Sequence, residues 1–395
     1  MANRIVRIAQ VSPLCESVPP KLYGGTERIV SYLTEELVKQ GHEITLFASG
    51  DSTTRARLVA CCDRALRLSG SCVDGGPHHL LLLEEVYRHA GQFDVIHFHL
   101  DYVHFPLARR QRTANVTTLH GRLDIPDYGP LFREYADMPV ISISHAQRQP
   151  LPGANWRATV HHGIPIDLYT PCQSAATKDG SCNGSGGYLA FLGRVSPEKG
   201  VDRAIEIARR AGRELRVAAK IDAADKAYFQ AQIAPLLRQP HVTYVGEIGE
   251  EHKGEFLGKA AALLFPIKWP EPFGLVLIEA MACGTPVIAF RGGSVEEVID
   301  EGVSGFVCDG IESAVEAVAR LGQISRARCR EAFERRFSAA RMAREYLEVY
   351  QRLINPEACH GRDHPGRGPS LHPCPPAPGR RALVRVEARG DLRGL

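Results

Sequence analysis

Two glutamates frame the start of a predicted helix, and in this 395-residue chain they have the residue type and spacing that most suggest chemistry. Glu271 is followed by a proline, which disfavours a helical conformation at Glu271, so the helix should begin near residue 273 or 274 and end near residue 282. Glu279 lies inside that helix among apolar residues, where a lone buried carboxylate is costly unless it is paired or hydrogen-bonded. Glu279 therefore either caps a neighbouring loop or helps to bind a polar ligand at the helix N-terminus, where N–H groups and the dipole favour phosphate.

Two cations lie on a second loop that precedes a helix. Arg194 and Lys199 stand between a predicted strand over residues 188–192 and a predicted helix over residues 201–211. Two cations beside helix N–H groups could hold a diphosphate without a metal ion. Solvated surface charge is the alternative, and this loop alone does not decide between them.

A glycine pair opens the first predicted helix. Gly24 and Gly25 lie between a strand over residues 4–11 and a helix over about residues 26–40. Glycines at a strand-to-helix turn allow the backbone to approach a ligand closely, although a tight turn alone would also favour them. The spacing is not Gly-x-Gly-x-x-Gly, so the dinucleotide-binding fingerprint is absent.

Three histidines lie at or near the ends of predicted strands, at the edge where open α/β sheets bind ligands. His97 and His99 are two residues apart and point to one face of a strand, which fits metal binding or packing, but no third ligand lies nearby in the sequence. His120 is the best catalytic candidate of the N-terminal half, with a structural histidine as the alternative. The sequence also predicts a helix over residues 102–111, before His120, and a loop directly after His120.

Alternating strands and helices must position these residues. The periodicity predicts two doubly wound, Rossmann-like parallel-sheet domains, over residues 1–170 and 188–337, joined by a linker over residues 171–187 that is rich in Ser, Gly, Lys and Asn. A long amphipathic helix over residues 338–355 ends the predicted fold. The tail over residues 356–395 has seven Pro and few large apolar residues, so it is expected to be disordered. Its two cysteines and three histidines resemble a metal cluster in composition only.

Composition narrows the class of protein. A hydrophobic content of 44% suffices for two cores, and a net charge of +3 gives no strong case for nucleic-acid binding. Eleven scattered cysteines favour free thiols in a reducing compartment. The N-terminus lacks the apolar core of a signal peptide, and no apolar run reaches membrane-span length. The chain is therefore predicted to be cytoplasmic, and peripheral contact with a membrane stays compatible with the sequence.

Residues 4–355 resemble the family-4 retaining glycosyltransferases of the GT-B fold, in which two Rossmann-like domains face each other across a cleft. The stretch Glu271-Pro-Phe-Gly-Leu-Val-Leu-Ile-Glu279 is similar to the paired-glutamate motif of that family, with seven residues between the two carboxylates. The other matching segments, in chain order, are Tyr23-Gly24-Gly25, His120-Gly121 and Gly193-Arg194 with Glu198-Lys199-Gly200. Four motifs in order are far more specific than any one of them.

The resemblance implies a role for each matched residue. Arg194 and Lys199 would bind the diphosphate of a nucleotide-sugar donor. Glu271 would bind the hydroxyls of the sugar, Glu279 the ribose, and His120 the sugar near the bond that breaks. The helix start would hold the distal phosphate and sugar through its N–H groups, and the glycine pair would close over the donor. The implied donor-binding set is Gly24, Gly25, Arg194, Lys199, Glu271, Phe273, Gly274, Leu275, Val276 and Glu279, and the implied catalytic set is His120, Glu271, Arg194 and Lys199.

The same resemblance implies a retaining transfer of a hexose from a nucleotide-diphosphate sugar, most often a UDP sugar in such enzymes, to a small-molecule, lipid or glycan acceptor. It also implies that the last helix crosses back to the N-terminal domain. No Asp-x-Asp occurs in the sequence, so donor binding without a metal ion or other cofactor is predicted, with fixed cations stabilising the charge on the leaving diphosphate. The alternatives are a GT-B sugar-nucleotide epimerase or phosphorylase, and an inactive sugar- or nucleotide-binding module.

Overall fold

The computed structural model describes residues 4–22, 24–70, 72–171 and 187–355, so Tyr23, most of the predicted linker and the whole predicted tail lie outside the described residues. The strands are β1 (Arg7–Val11), β2 (Glu43–Ser49), β3 (Arg57–Cys62), β4 (Val95–Phe98), β5 (Ala114–Thr118), β6 (Pro139–Ser142), β7 (Asn155–Thr159), β8 (Leu189–Arg194), β9 (Leu215–Lys220), β10 (Val242–Gly246), β11 (Ala262–Phe265), β12 (Val287–Phe290) and β13 (Gly305–Cys308). The helices are α1 (Gly25–Lys39), α2 (Gly76–Arg88), α3 (Phe105–Ala108), α4 (Tyr128–Glu134), α5 (His145–Arg148), α6 (Val201–Arg210), α7 (Lys226–Tyr228), α8 (Ala234–Leu236), α9 (Glu250–Gly258), α10 (Leu275–Ala282), α11 (Val295–Val298), α12 (Ile311–Ala319), α13 (Arg326–Arg336) and α14 (Ala339–Ile354).

Within the described residues the strands form two parallel sheets. The first sheet has seven strands in the order β3-β2-β1-β4-β5-β6-β7, and the second has six in the order β10-β9-β8-β11-β12-β13. In each sheet the order reverses beside its central strand: β1 pairs with β2 and β4, and β8 pairs with β9 and β11. The predicted fold class, two doubly wound α/β units, is confirmed. Such sheets bind ligands at the carboxyl ends of the strands where the order reverses.

Apolar side chains cover both faces of the second sheet. Leu263 and Val287 belong to a buried cluster on the α10 face, whereas Leu264 and Ile288 belong to a cluster on the face of α6 and α12. Successive residues of a strand point to opposite faces, so a sheet covered on both sides needs continuously apolar strands. Helix α10 lies within the first of these clusters, which is why its sequence is apolar on nearly every side.

Helix α14 follows the second unit in the chain but packs on the first sheet. Its buried Met342, Tyr346 and Tyr350 share one apolar cluster with Ile8 of β1 and Val95 of β4. The C-terminal helix thus supports the unit in which the chain began.

The segments on either side of β5 differ from the sequence-based expectation. Of the helix expected over residues 102–111, only Phe105–Ala108 is helical. Pro106 lies in its first turn and has no N–H to donate back to a preceding helical turn, so the residues before it form turns instead. The loop expected after His120 contains α4. Strand β3 was not predicted, since it is a half-exposed edge strand whose apolar pattern is weak.

The helical segment over residues 223–236 is irregular. It contains a π-helical turn at Phe229–Ile233 between the short helices α7 and α8. Pro235 lacks the N–H that a regular α-helix would donate four residues back, so the hydrogen-bond register shifts before it.

Two predictions made from the composition, free thiols and no membrane-spanning segment, can be compared with the described residues. The cysteines there, Cys15, Cys61, Cys62, Cys72, Cys283, Cys308 and Cys329, are free thiols. Among the described helices, none combines the length and the apolar character that crossing a bilayer requires.

Candidate functional site

The loops after β8 and β11 bring Arg194, Lys199 and Glu271 to one crevice. The two strands are neighbours in the second sheet although β9 and β10 separate them in the chain. The helices that follow them, α6 and α10, lie on opposite faces of the sheet, so the loops diverge and leave an opening. Arg203 Nε donates to Pro266 O at 2.7 Å, which also ties the two loops directly to each other.

Lys199 and Glu271 form an ion pair in this crevice. Lys199 Nζ lies 2.5 Å from Glu271 Oε2, and Trp269 Nε1–H donates to the same oxygen at 3.0 Å. The ammonium lies 4.8 Å from the centroid of the Trp269 ring, within the range of a cation–π interaction. The lysine and glutamate side chains are only 18% and 10% exposed. An ammonium has three N–H donors, so Lys199 can hold Glu271 and still donate to a ligand.

The loop that contains Glu271 rests on the loop between β12 and α11. Ser294 N–H donates to Glu271 O and Ser294 Oγ donates to Phe273 O, each at 2.9 Å. Gly293 has φ 55°, in the left-handed region, and a β-carbon there would lie 2.2 Å from Glu271 O. Gly293 and Ser294 therefore fix the backbone that presents Glu271.

We expect Gly293→Ala to destabilise the fold more than Gly302→Ala does. Both glycines have positive φ, at 55° and 69°, but a β-carbon on Gly302 meets nothing within 4 Å. The two variants share the cost of a left-handed alanine, and only the first also crowds the Glu271 backbone. Urea unfolding should place the additional loss for Gly293→Ala at about 2 kcal/mol. Equal losses for the two variants would contradict the supporting role of Gly293.

Arg194 is oriented by acidic side chains. Its guanidinium lies 2.6 Å from Glu198 Oε1, 3.5 Å from Asp222 Oδ2 and 3.7 Å from Asp225 Oδ2. Its side chain is 33% exposed and lines the crevice. A guanidinium has five N–H donors in a fixed fork, and the three carboxylates approach all three of its nitrogens, so a phosphate would share the guanidinium with them or displace one of them.

Helix α10 begins in the crevice, with Gly274 as its N-cap at φ 77°. A β-carbon on Gly274 would lie 3.1 Å from the Leu277 side chain, so a side chain there would also be crowded. The first turn of a helix has N–H groups without intrahelical acceptors, which attract an anion. Gly25, the first residue of α1, lies opposite: a β-carbon on it would lie 3.6 Å from Leu275 Cδ1. The starts of α1 and α10 therefore face each other across the two units.

Glu279 has a protein partner that its own apolar helix does not supply. Lys253 of α9 donates from Nζ to Glu279 Oε1 at 2.8 Å. The two side chains are 15% and 5% exposed, and both line the crevice. The buried carboxylate is therefore paired, and the pair stands beside the space that a ligand would fill.

His120 is a neutral imidazole at the end of a hydrogen-bonded chain. Gln10 Oε1 can only accept, so His99 Nε2–H donates to it at 2.9 Å. Burial lowers the pKa of His99 well below its usual value, so His99 Nδ1 has a lone pair and accepts from His120 Nε2–H at 2.8 Å. Burial also lowers the pKa of His120 to about 3. His120 Nδ1 is thereby left as an acceptor that has no partner among the described residues.

Hydrogen bonds within the protein account for the histidine pair at the end of β4. His97 contacts Tyr350 OH through Nδ1 and Thr118 Oγ1 through Nε2, each at 2.7 Å, while His99 joins Gln10 to His120. Across residues 4–22, 24–70, 72–171 and 187–355, no group of three or more His, Cys, Asp or Glu side chains is placed to bind a metal ion. The contacts of His97 and His99 therefore favour a structural role in packing over metal binding.

A single cavity of about 570 Å³ connects these features. The predicted site residues that line it are Gly24, Gly25, His120, Arg194, Lys199, Glu271, Phe273, Gly274, Leu275, Val276 and Glu279. Lys253, Trp269 and Arg28 also line it and were not predicted. The signal for Lys253 was the charge of Glu279, which required a cation from elsewhere in the chain. Trp269 stands in the motif itself, but its contact with Glu271 needed the fold.

Comparisons with known proteins cover both units. Residues 23–167 match the family model described as glycosyltransferase family 4, and residues 177–336 match the model described as glycosyl transferases group 1. The D-inositol 3-phosphate glycosyltransferase of Mycolicibacterium smegmatis is 32% identical over 165 residues, which are 38% of this chain and 36% of that protein. The alpha-maltose-1-phosphate synthase of the same organism is 30% identical over 189 residues, which are 42% of this chain and 48% of that protein.

These alignments span about a third to a half of the length of the two relatives. A solved structure extends the likeness to nearly the whole chain. AviGT4, a glycosyltransferase involved in avilamycin A biosynthesis, has 26% sequence identity and a TM-score of 0.65, over 89% of this chain and 98% of that one.

Proposed function

Because this chain belongs to the family 4 glycosyltransferases and has the GT-B fold, we propose that it transfers a hexose with retention from a UDP sugar to an acceptor, without a metal ion. One observation carries the proposal: the Lys199–Glu271 pair, the start of α10 and the Lys253–Glu279 pair all line the same cavity. A nucleotide sugar needs such a set: a carboxylate for sugar hydroxyls, cations and N–H groups for two phosphates, and a second carboxylate for ribose.

The cations are placed for the charge that develops during transfer. Breaking the bond between the sugar and the phosphate leaves negative charge on the diphosphate and positive character on the sugar. Lys199, Arg194 and the N–H groups at the start of α10 would stabilise the first. Glu271, held by Lys199 and Trp269, would bind the sugar hydroxyls beside the second.

Retention in this proposal uses attack by the acceptor from the side of the leaving phosphate. Glu271 Oε2 already accepts from Lys199 and Trp269, which makes the carboxylate a weak nucleophile and argues against a covalent sugar intermediate on it. The acceptor hydroxyl would form the new bond to the sugar carbon as the old one breaks. Its proton would pass to the leaving phosphate oxygen.

His120 would contribute as a hydrogen-bond acceptor. Its pKa of about 3 keeps it uncharged at neutral pH, and its Nδ1 is the ring atom without a partner in the described structure. That nitrogen is buried beside the cavity, and it would accept from a hydroxyl of a sugar that displaces the side chains covering it. The chain through His99 to Gln10 would hold the ring in this tautomer.

The proposal is tested by incubating the protein with UDP, GDP and ADP sugars and a panel of small-molecule, glycan and lipid acceptors. Free nucleoside diphosphate should appear only when an acceptor is present, with the UDP sugar turning over fastest, and proton NMR should show the anomeric configuration of the donor in the product. Conversion of the donor sugar without an acceptor would indicate an epimerase, and release of a sugar phosphate only when a glycan and inorganic phosphate are added would indicate a phosphorylase. No turnover of any donor would leave only a binding module.

The two glutamates should be damaged unequally by substitution. We expect Glu279→Gln to weaken nucleotide binding about tenfold, because it removes a charged acceptor from ribose. Glu271→Gln should leave nucleotide binding nearly intact and lower kcat about a hundredfold, because its partner is the reacting sugar. Calorimetry with UDP and initial rates of transfer measure the two effects. Equal losses of nucleotide affinity would refute the division of roles.

A further inference from the structure

Four charged side chains alternate in sign between the two units. Arg28 of α1 pairs with Glu250 of α9, Glu250 Oε2 lies 3.6 Å from Lys253 Nζ, and Lys253 Nζ lies 2.8 Å from Glu279 Oε1. Tyr169 OH donates to the other oxygen of Glu250. The sum of these charges is zero, and their side chains are 24% exposed or less.

This arrangement places Lys253 and Glu279 at the cavity and Glu250 behind them. Lys253, Glu279 and Arg28 line the cavity, whereas Glu250 does not. Arg28 also donates from Nη2 to Leu22 O at 2.8 Å, so the chain of charges begins at the loop before the glycine pair. The arrangement ends at the Glu279 carboxylate, inside the cavity.

The chemistry of the pair favours a neutral ligand that offers both a hydrogen-bond donor and an acceptor, as two adjacent hydroxyl groups do. A phosphate at this point would be repelled by Glu279, and a cation would be repelled by Lys253. A carboxylate accepts hydrogen bonds, and an ammonium donates them. Lys253 takes one of the acceptor positions of Glu279, and its ammonium retains N–H groups for a ligand oxygen next to the carboxylate.

We propose that Lys253 is a second ribose-binding residue: Glu279 accepts from one of the vicinal 2′- and 3′-hydroxyls, and Lys253 donates to the oxygen of the other. The inference rests on the proposed function and adds a requirement for a ribonucleotide in place of a deoxyribonucleotide donor. Glu250 acts through Lys253 as a positioning residue, because it holds the ammonium on the side away from the ligand. Arg28 in turn orients Glu250 from the opposite unit.

The test is a comparison of ribose with deoxyribose by calorimetry. The probe is whichever of UDP, GDP and ADP binds the wild-type protein most tightly, together with its 2′-deoxy and 3′-deoxy forms. Each deoxy form should bind the wild-type protein about tenfold more weakly or worse. Each preference is the ratio of the dissociation constant of the deoxy form to that of the ribonucleotide. In Lys253→Met one of the two ratios should fall to within about twofold of unity, and in Glu279→Gln the other ratio should fall.

Variants and controls separate this role from folding. Lys259→Met changes an exposed lysine at the end of α9 that pairs with Glu255 outside the cavity, and it should retain both preferences. The double variant Lys253→Met/Glu279→Gln leaves no unpaired charge of this pair and should lose both preferences even if one single variant is unstable. Glu250→Gln should reduce the preference that depends on Lys253, and Glu250→Gln combined with Lys253→Met should reduce it no further.

The binding results test the role of Lys253 separately from the proposed function. Failure of all three nucleoside diphosphates to bind would overturn both. Binding of one of them with both preferences unchanged in Lys253→Met, or in the double variant, would overturn the role of Lys253 and leave the proposed function standing.

Discussion

Replacing Lys199 with Met should lower kcat about a thousandfold with the protein still folded. Two losses add. The ammonium no longer stabilises the leaving diphosphate, and Glu271, whose side chain is 10% exposed, loses the cation 2.5 Å from its carboxylate. Trp269 remains as a neutral donor to Glu271, which cannot replace a charge. The sugar-binding and phosphate-binding groups are thus disturbed by one substitution.

A lysine on the neighbouring loop provides the control for Lys199. Lys268 is exposed and lies outside the central cavity, so Lys268→Met should retain wild-type turnover. Lys199→Arg keeps the charge and should recover part of the loss. Initial rates at saturating donor and thermal unfolding of all three variants form the measurement. Near-normal kcat in Lys199→Met would refute the assignment of this lysine to the reacting diphosphate.

Acid should unfold the protein well above the pH at which carboxylates titrate. The imidazoles of His97, His99, His104, His120 and His162 all have a pKa lowered by burial, to about 3 for His104 and His120. Below pH 6.5 the unfolded chain binds these protons and the folded protein does not, so stability falls as pH falls. At pH 5 His104 and His120 each cost about 2 kcal/mol, and the other three imidazoles lower the stability in the same direction. The two alone are a large part of the roughly 5–15 kcal/mol stability of a typical domain.

Urea unfolding at several pH values between 7.5 and 5 measures this effect. The midpoint should fall steeply below pH 6.5. His104→Gln, which removes one buried imidazole bonded to Thr117 Oγ1, should make the dependence shallower, and the exposed His252→Gln should not change it. A urea midpoint that does not change down to pH 5 would contradict this prediction. It would mean that the buried histidines are not held neutral in the folded state.

The sequence was sufficient to predict the alternation of strands and helices and the start of α10, because both depend on local patterns. The apolar run with a proline after Glu271 predicted a helix from residue 273 or 274 to about residue 282, and the helix is Leu275–Ala282. The motif spacing also indicated which loops would line the cavity. In an open parallel sheet such loops meet at the reversal of strand order, so their residues line one cavity.

The pairings within the site were beyond local patterns. Lys253 precedes Glu279 by 26 residues, and strand β11 lies between their helices, so only the packing of α9 on α10 reveals the pair. The chain from Gln10 through His99 to His120 likewise joins three separate strand ends. Gly293 carries no signal in sequence for its contact with Glu271, because that contact is between two backbones from different loops.

We propose that protein cations and the start of α10, rather than a divalent ion, hold the donor diphosphate. Calorimetric titration of UDP into the wild-type protein, first with EDTA and then with added Mg²⁺ or Mn²⁺, tests it most directly. We expect saturable binding of UDP in EDTA, with an affinity that the added metal leaves unchanged. Binding that appears only when the divalent ion is present would contradict it.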